Sequence, residues 1–130
     1  LARHRQITLS MLRDHALVLQ HPRSRVRTFL DRVSREQRVP LKARFEAPNG
    51  LIAAQMVARG LGCGISDPLI AATSGEPNLL LKPFRPALTI SYAFLFPAWA
   101  PQSALTRELA DEIKDTAIGR WKAIRQGARQ

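Results

Sequence analysis

The chain has 130 residues, of which 45% are hydrophobic and 23% are charged. This composition is ordinary for a globular domain and excludes a disordered chain, and a single cysteine excludes both an internal disulfide framework and a multi-cysteine metal site. The net charge of +10 lies at the two ends, because residues 45–100 carry three acidic and three basic side chains. Leu1 is not an initiator methionine, so we expect a processed or excised piece of a longer chain.

Strands and helices alternate along the first half of the sequence. The apolar run Ala16–Gln20 fits a buried strand, and His21-Pro22 ends it because proline cannot donate to a ladder. Ser24 has the position of a helix N-cap, and apolar residues then recur on one helix face until Pro40 forbids continuation. The predicted elements are a short helix over 9–14, a strand over 16–20, a helix over 24–38, a strand over 41–46 and a helix over 49–59 that ends at Gly60.

The second half is divided by glycines and prolines. The predicted elements are a strand over 61–65, a helical turn over 69–73, a strand over 79–81, a proline-rich connection over 82–86, a long strand over 88–96 and a helix over 103–125. That last helix has a single apolar stripe formed by Leu105, Leu109, Ile113, Ala117, Trp121 and Ile124. Because strands alternate with helices, the predicted fold class is α/β with a largely parallel sheet.

One uncharged stretch, 86–106, is long enough in principle to cross a membrane. It contains Pro86, Pro97 and Pro101, and its first half begins by alternating apolar and polar residues, as a strand does. We therefore reject a membrane span and expect no membrane partner.

No catalytic or metal-binding pattern is recognisable. His4, His15 and His21 lack metal-ligand spacing, and the Gly-x-Gly-x-Gly run over 60–64 lies in a predicted strand rather than at a strand-to-helix turn, which excludes a dinucleotide fingerprint. Cys63 is predicted to be a buried, inert thiol. We expect neither an enzyme nor a cofactor.

The most basic helix is predicted to present a solvated face. Its arginines fall on the arc opposite the apolar stripe, where charged side chains usually meet water: Arg25, Arg27, Arg32, Arg35 and Arg38. Nucleic-acid binding is the alternative, but no stacking aromatics are interleaved with these residues.

Two loops have the position of a ligand site. In an open parallel sheet, ligands bind beyond the carboxyl ends of strands and beside helix N-termini. The loops at 46–50 and 66–68 follow strands that we expect to be parallel neighbours, so both should open at one edge. Backbone N–H groups there can receive a carboxylate, and the two acidic side chains can meet a cation. The candidate binding residues are Glu46, Ala47, Pro48, Asn49, Gly50, Leu51, Ser66 and Asp67. The alternative is that Asn49 and Asp67 only cap their own helices.

The run Val57–Ala71 resembles the signature V-x-x-G-x-G-I-x-x-x-P-x-x-x-A of LysR-type transcriptional regulators. Upstream, Ala16–Leu19 and His21-Pro22-Arg23-Ser24 are similar to the entry into the second lobe of that family's effector-binding domain. Downstream, the segment over 88–96 and the helix from Ser103 look like the return to the first lobe. The resemblance covers roughly residues 1–120.

The resemblance implies a periplasmic-binding-protein-like fold with an effector in the cleft between two lobes. Residues 1–15 would end the first lobe, residues 16–87 would form a second, Rossmann-like lobe, and residues 88–130 would return a strand and the C-terminal helix to the first lobe. Effector binding would shift lobe closure and the arrangement of a homo-oligomer on DNA, with DNA bound only by an N-terminal domain outside this sequence. The family implies a cytoplasmic location.

The sequence departs from the family in two ways. The winged helix-turn-helix and the front of the first lobe are missing, and the positions of Cys63, Ser66 and Asp67 are more polar than is usual there. The loop over 46–49 looks like that of amino-acid- and opine-sensing members, which implies an effector with a carboxylate and a cationic nitrogen. We also expect the apolar stripe of the last helix to be covered by another copy or to stay exposed. The alternative function is a solute-binding lobe of a transport-associated protein.

Overall fold

The computed structural model describes residues 1–127. Within that range the elements are β1 Ile7–Thr8, α1 Leu9–Leu12, β2 Leu17–Gln20, α2 Arg25–Gln37, β3 Ala43–Ala47, α3 Gly50–Ala58, α4 Pro68–Thr73, β4 Phe84–Arg85 and α5 Ala104–Gly127. The order of elements through α4 follows the predicted alternation of strands and helices, and the strand pairs are parallel. The predicted α/β class is therefore confirmed.

β2 is the centre of the main sheet, and all four of its residues are buried. β3 pairs with it in parallel, with Val18 opposite Phe45. On the other side, the backbone of Cys63 donates to Ala16 and accepts from Val18, both at 2.9 Å. The two predicted strands over 41–46 and 61–65 therefore do not pair with each other, and the expectation that they are parallel neighbours is wrong. Both lie against β2, so the loops that follow them still open at one edge.

The predicted strand over 61–65 is reduced to a single bridge between Leu17 and Cys63. A Cβ atom on Gly62, whose φ is +149°, would lie 2.1 Å from the carbonyl oxygen of Ala16. A Cβ atom on Gly64 would lie 2.6 Å from the carbonyl oxygen of Val18. Glycines on both sides of Cys63 thus let this segment approach β2 more closely than any side chain would permit.

Two other predicted strands do not form. Leu79–Leu81 and Leu88–Phe96 have no ladder partner within residues 1–127, whereas the predicted connection Lys82–Pro86 contains β4. Alternating apolar and β-branched residues favour an extended chain, but a strand also needs a second backbone to pair with, and that is decided by tertiary contacts. β4 finds such a backbone in β1, since Ile7 pairs with Phe84 in parallel.

α2 covers one face of the main sheet and supplies much of the hydrophobic core. Its stripe follows the predicted spacing, and Leu30 and Val33 are 1% and 2% exposed. They pack with Leu17 and Leu19 of β2 and with Leu9 of α1. Burial of this stripe fixes the direction of the helix, and with it the position of its N-terminus at the loop edge of the sheet.

Ser24 caps α2, and its removal is expected to weaken the fold. Its Oγ accepts a hydrogen bond from the N–H of Arg27 at 3.0 Å. We expect Ser24→Ala to lower the free energy of unfolding by about 1 kcal/mol in urea denaturation, because a backbone donor loses its partner. Ser24→Asp, whose carboxylate can cap in the same way, serves as the control and should retain most of the stability. Equal loss in both variants would contradict a capping role.

α5 is the longest helix and matches the predicted span over 103–125. It packs against α4, but none of its residues is buried. Leu105 is 73% exposed, and Leu109 is 58% exposed. The apolar stripe is thus largely exposed in the single chain, and the expectation that another copy covers it or that it stays exposed remains a prediction. No helix among residues 1–127 is long and apolar enough to cross a membrane.

Candidate effector site

Asn49 begins α3 as a cap. Its Oδ1 accepts from the N–H of Ile52 at 3.0 Å, so the capping alternative holds for this residue. Within the described part of the chain, the N–H groups of Asn49, Gly50 and Leu51 have no protein acceptor. These N–H groups lie at the positive end of the helix dipole, where an anion is stabilised.

Glu46 is the last charged residue before this loop, and it is held by Arg27 of α2. The Arg27 guanidinium donates to Glu46 at 3.2 Å, to both oxygens of Asp31 and to the carbonyl oxygen of Gln20. Burial lowers the pKa of Arg27, but the bonds to the two carboxylates outweigh it and the pKa is raised. Arg27 therefore ties together the ends of β2 and β3 and the first turns of α2, the elements that surround the predicted site.

Asp67 is buried, with 6% of its surface exposed, and both of its oxygens are used. Oδ1 accepts from the N–H of Leu69 at 2.8 Å, which caps α4. Oδ2 accepts from the hydroxyl of Tyr92, on the segment that follows β4. Burial, followed by this hydrogen bond, raises the pKa of Tyr92 to about 12. Asp67 thus caps its helix, as the alternative predicted, and also fixes the segment over 88–96 against the second loop.

A cavity of about 210 Å³ opens between these loops. Its polar wall is formed by Gln20, Arg25, Gly50, Ser66, Asp67 and Tyr92, and its apolar wall by Val26, Ile70 and Ile90. We call it the Gln20 cavity. A concave, mostly apolar space with a few convergent polar groups is the usual form of a small-molecule site, and this volume lies below the roughly 300–1,000 Å³ of complete sites.

Two polar side chains of the Gln20 cavity have unused hydrogen-bonding capacity. The Ser66 hydroxyl is buried and has no partner among residues 1–127. Gln20 is 7% exposed and donates its Nε2 to the carbonyl oxygen of Ile65 at 3.3 Å, which leaves Oε1 without a partner in the same range. A Cβ atom on Gly50 would lie 2.8 Å from Ser66 Oγ and 3.3 Å from Gln20 Nε2. The glycine therefore keeps this corner of the cavity open.

Of the eight candidate residues of the sequence analysis, three line the Gln20 cavity and five do not. Gly50, Ser66 and Asp67 line the Gln20 cavity, whereas Glu46 and Leu51 lie outside its wall. Of the remaining three, Ala47 is buried, and Pro48 and Asn49 are exposed on the adjoining loop.

Three polar lining residues are not among the sequence-based candidates. Gln20 ends β2 and Arg25 begins α2, so the rule that chose the other loops, a strand end beside a helix start, would have found both. Tyr92 had no such signal, because its segment was predicted to be a strand.

The other groups considered in the sequence analysis add no chemistry here. Cys63 is half-buried, and burial raises the pKa of its thiol, which fits the predicted inert role. In the described residues, no three His, Cys, Asp or Glu side chains are close enough to hold a metal ion.

Tyr92 offers a direct measurement of the contact with Asp67, because the chain contains one tyrosine. The pKa of the folded state, about 12, lies above the usual 10.0 because of burial first and the bond to Asp67 second. The protonated hydroxyl therefore contributes its stabilisation fully below pH 10, and this stabilisation is lost as the pH rises towards 12. We expect tyrosinate absorbance to appear at higher pH in the folded chain than in the urea-unfolded chain. Asp67→Asn, which removes the neighbouring charge, should lower the folded midpoint. Identical titration of folded and unfolded chains would refute the contact.

Comparison with known proteins gives the family. A family model described as "LysR substrate binding domain" matches residues 1–118. No curated protein matches the chain. The resemblance in the run Val57–Ala71 is confirmed by this match, and so is the periplasmic-binding-protein-like α/β class. Domains of this kind belong to transcription regulators rather than to enzymes, and they serve in effector binding. Because this family model covers residues 1–118, and the parallel sheet agrees with its α/β class, the chain belongs to the LysR substrate-binding domain family.

Proposed function

We propose that the chain is the effector-sensing part of a LysR-type transcription regulator and that it binds its effector in the Gln20 cavity. The observation that carries this proposal is the pair of unused polar groups, Ser66 Oγ and Gln20 Oε1, in a cavity beside the first turns of α2 and α3. A buried hydroxyl without a partner costs free energy, and a ligand that supplied the partner would recover it.

The connections of the fold support a division into two lobes. In this proposal residues 1–15 and 88–130 belong to the first lobe and residues 16–87 to the second. The parallel pairing of β1, in the first lobe, with β4, which ends just before the return at residue 88, supports it. Tyr92, just beyond β4, donates a hydrogen bond to Asp67 in the second lobe. A ligand in the cavity would therefore change the position of the segment that returns to the first lobe. Lobe closure would then change the arrangement of the oligomer on DNA.

The effector in this proposal is an amino acid or an opine-like compound. Its carboxylate would meet the free N–H groups of residues 49–51, where the helix dipole favours negative charge. Its cationic nitrogen would extend beyond the cavity wall to Glu46, whose side chain is 54% exposed although Arg27 already contacts one oxygen. The site for the carboxylate is better supported than the site for the cationic nitrogen. Asp67, the second acidic group that could meet the nitrogen, already accepts a hydrogen bond on each of its oxygens.

The partners of the regulator follow from the family and from the exposed helix. DNA would be bound through a separate domain of the same protein, in the cytoplasm. A homo-oligomer is supported by the apolar stripe of α5, which a single chain leaves largely exposed, and exposed apolar patches commonly mark contact surfaces.

Titration of the intact regulator tests the proposed function. Isothermal titration with arginine-derived opines, simple amino acids and aromatic acids should show saturable binding by at least one of the first two classes, and the compound that binds should change the affinity for the regulator's own promoter DNA. Tight binding by an aromatic acid alone would end the amino-acid proposal, whereas the sensing function would stand.

A solute-binding lobe of a transport protein is the rival, and the parent gene discriminates between the two. A winged-helix segment encoded upstream supports the regulator, and a secretion signal there supports the rival.

A further inference from the structure

The polar groups of the Gln20 cavity have different hydrogen-bonding properties, and their combination restricts the chemical class of the ligand. Gln20 is more than nine-tenths buried, and its amide orientation is fixed by the bond from Nε2 to Ile65. Its Oε1 has no partner among residues 1–127 and, since Gln20 lines the cavity, it remains available to a ligand; it can only accept a hydrogen bond. A ligand that fills this corner must bring a donor.

The anionic end of the ligand has a separate place. Arg25 lines the cavity and has no carboxylate within 4.0 Å in residues 1–127. The first two N–H groups of α2 and the first N–H groups of α3 point to the same edge without protein acceptors in that range. A free guanidinium and two helix starts favour a carboxylate, and they disfavour a cation or an uncharged sugar.

The remaining wall of the cavity is apolar and leaves little space for a ligand. Val26, Ile70 and Ile90 face the space, and the volume of about 210 Å³ admits only a small body beside them. Ser66 lies between the two polar regions, since a Cβ atom on Gly50 would be 2.8 Å from its Oγ and 3.3 Å from Gln20 Nε2. Its hydroxyl can donate to the carboxylate.

We propose that the Gln20 cavity selects a small carboxylic acid that carries a hydrogen-bond donor, an amino or hydroxyl group, on the carbon next to the carboxylate, with a short branched apolar side chain. This inference rests on the proposed sensing function and assigns the recognition of the donor to Gln20 Oε1 rather than to Glu46 or Asp67. Because Gln20 is a neutral acceptor, the donor needs no charge. An acid without the donor would bury Oε1 unpaired and bind less tightly.

Three matched probes with the same side chain test the donor: valine, 2-hydroxy-3-methylbutanoate and 3-methylbutanoate. Each is titrated calorimetrically into the full-length regulator. The first two are expected to bind at least tenfold more tightly than the third. Equal affinity for all three, or no saturable binding by any of them, would overturn the inference. If a compound of another class then binds and changes promoter affinity, the sensing function survives and only the ligand class is wrong. If no compound does either, the proposed function fails as well.

Variants separate recognition from folding. Gln20→Leu should abolish the discrimination between the probes, whereas Gln37→Leu, at the exposed end of α2, should retain it. Ser66→Ala should raise the melting temperature of the ligand-free protein, because it removes a buried hydroxyl without a partner, and should weaken valine binding about tenfold. A Ser66→Ala protein that is less stable and binds valine as tightly as before would show that the hydroxyl serves the fold. Retained discrimination in Gln20→Leu would refute the role of Oε1.

Discussion

Replacement of Gly62 by alanine is expected to lower the free energy of unfolding by about 3–5 kcal/mol. This is the largest loss that we expect from the addition of one methyl group to this chain. The new Cβ would lie 2.1 Å from the carbonyl oxygen of Ala16, a backbone atom that cannot rotate away. The φ of +149° is also strained for any residue with a side chain. To relieve the clash, the segment over 61–65 would have to leave β2, and the bridge between Leu17 and Cys63 would break.

Urea denaturation followed by circular dichroism measures this effect, and two other glycines provide matched controls. Gly60 has φ +80° but nothing within 4 Å of its added Cβ, so Gly60→Ala should lose only about 1–2 kcal/mol for its backbone conformation. Gly119, inside α5 and equally free of neighbours, should gain roughly 0.5–1 kcal/mol as alanine. A Gly62→Ala chain no weaker than Gly60→Ala would show that the close approach to β2 does not exist.

Truncation of Leu30 to alanine is expected to lower the free energy of unfolding by about 3–4 kcal/mol. Leu30 is 1% exposed and belongs to the cluster that joins α2 to Leu17 and Leu19 of β2. The loss combines the transfer free energy of the removed methyl groups with the cavity that they leave. Because this contact holds α2 on the sheet, the N-terminus of α2 beside the Gln20 cavity depends on it.

Leu80 is the control for this truncation. It is 58% exposed, so Leu80→Ala should change the free energy of unfolding by no more than about 0.5 kcal/mol in the same urea experiment. Similar losses in the two variants would mean that α2 is not seated on β2 as described.

The first half of the fold could be predicted because its signals are local. Ser24 as an N-cap, Gly60 as a C-terminal glycine and the apolar spacing of α2 each depend on residues within a few positions of one another, and all three occur in the structure. The segment over 88–96 shows the opposite case. Its alternation of apolar and polar residues favours an extended backbone, but this local pattern does not determine which other segment supplies the hydrogen-bonding partner.

The same distinction applies to the candidate site. The rule that ligands meet strand ends and helix starts found Gly50, Ser66 and Asp67, since those positions follow from element order. It did not show that the Asp67 carboxylate is already used by Tyr92, a contact across 25 positions that depends on how an irregular segment folds back. Sequence therefore located the edge of the sheet, but the free and the occupied groups at that edge could only be read from tertiary contacts.

The central place of β2 has a consequence for how the chain is made. β2 is the first strand of its sheet to be synthesised, yet its two neighbours, β3 and the backbone of Cys63, come later. At about 5–20 residues per second, a ribosome needs roughly 2–9 s to extend the chain from Gln20 to Cys63. Until β3 and α3 are made, the apolar side chains of β2 can be covered only by α1 and α2, so these two helices protect a nascent strand whose exposed edges would otherwise favour aggregation.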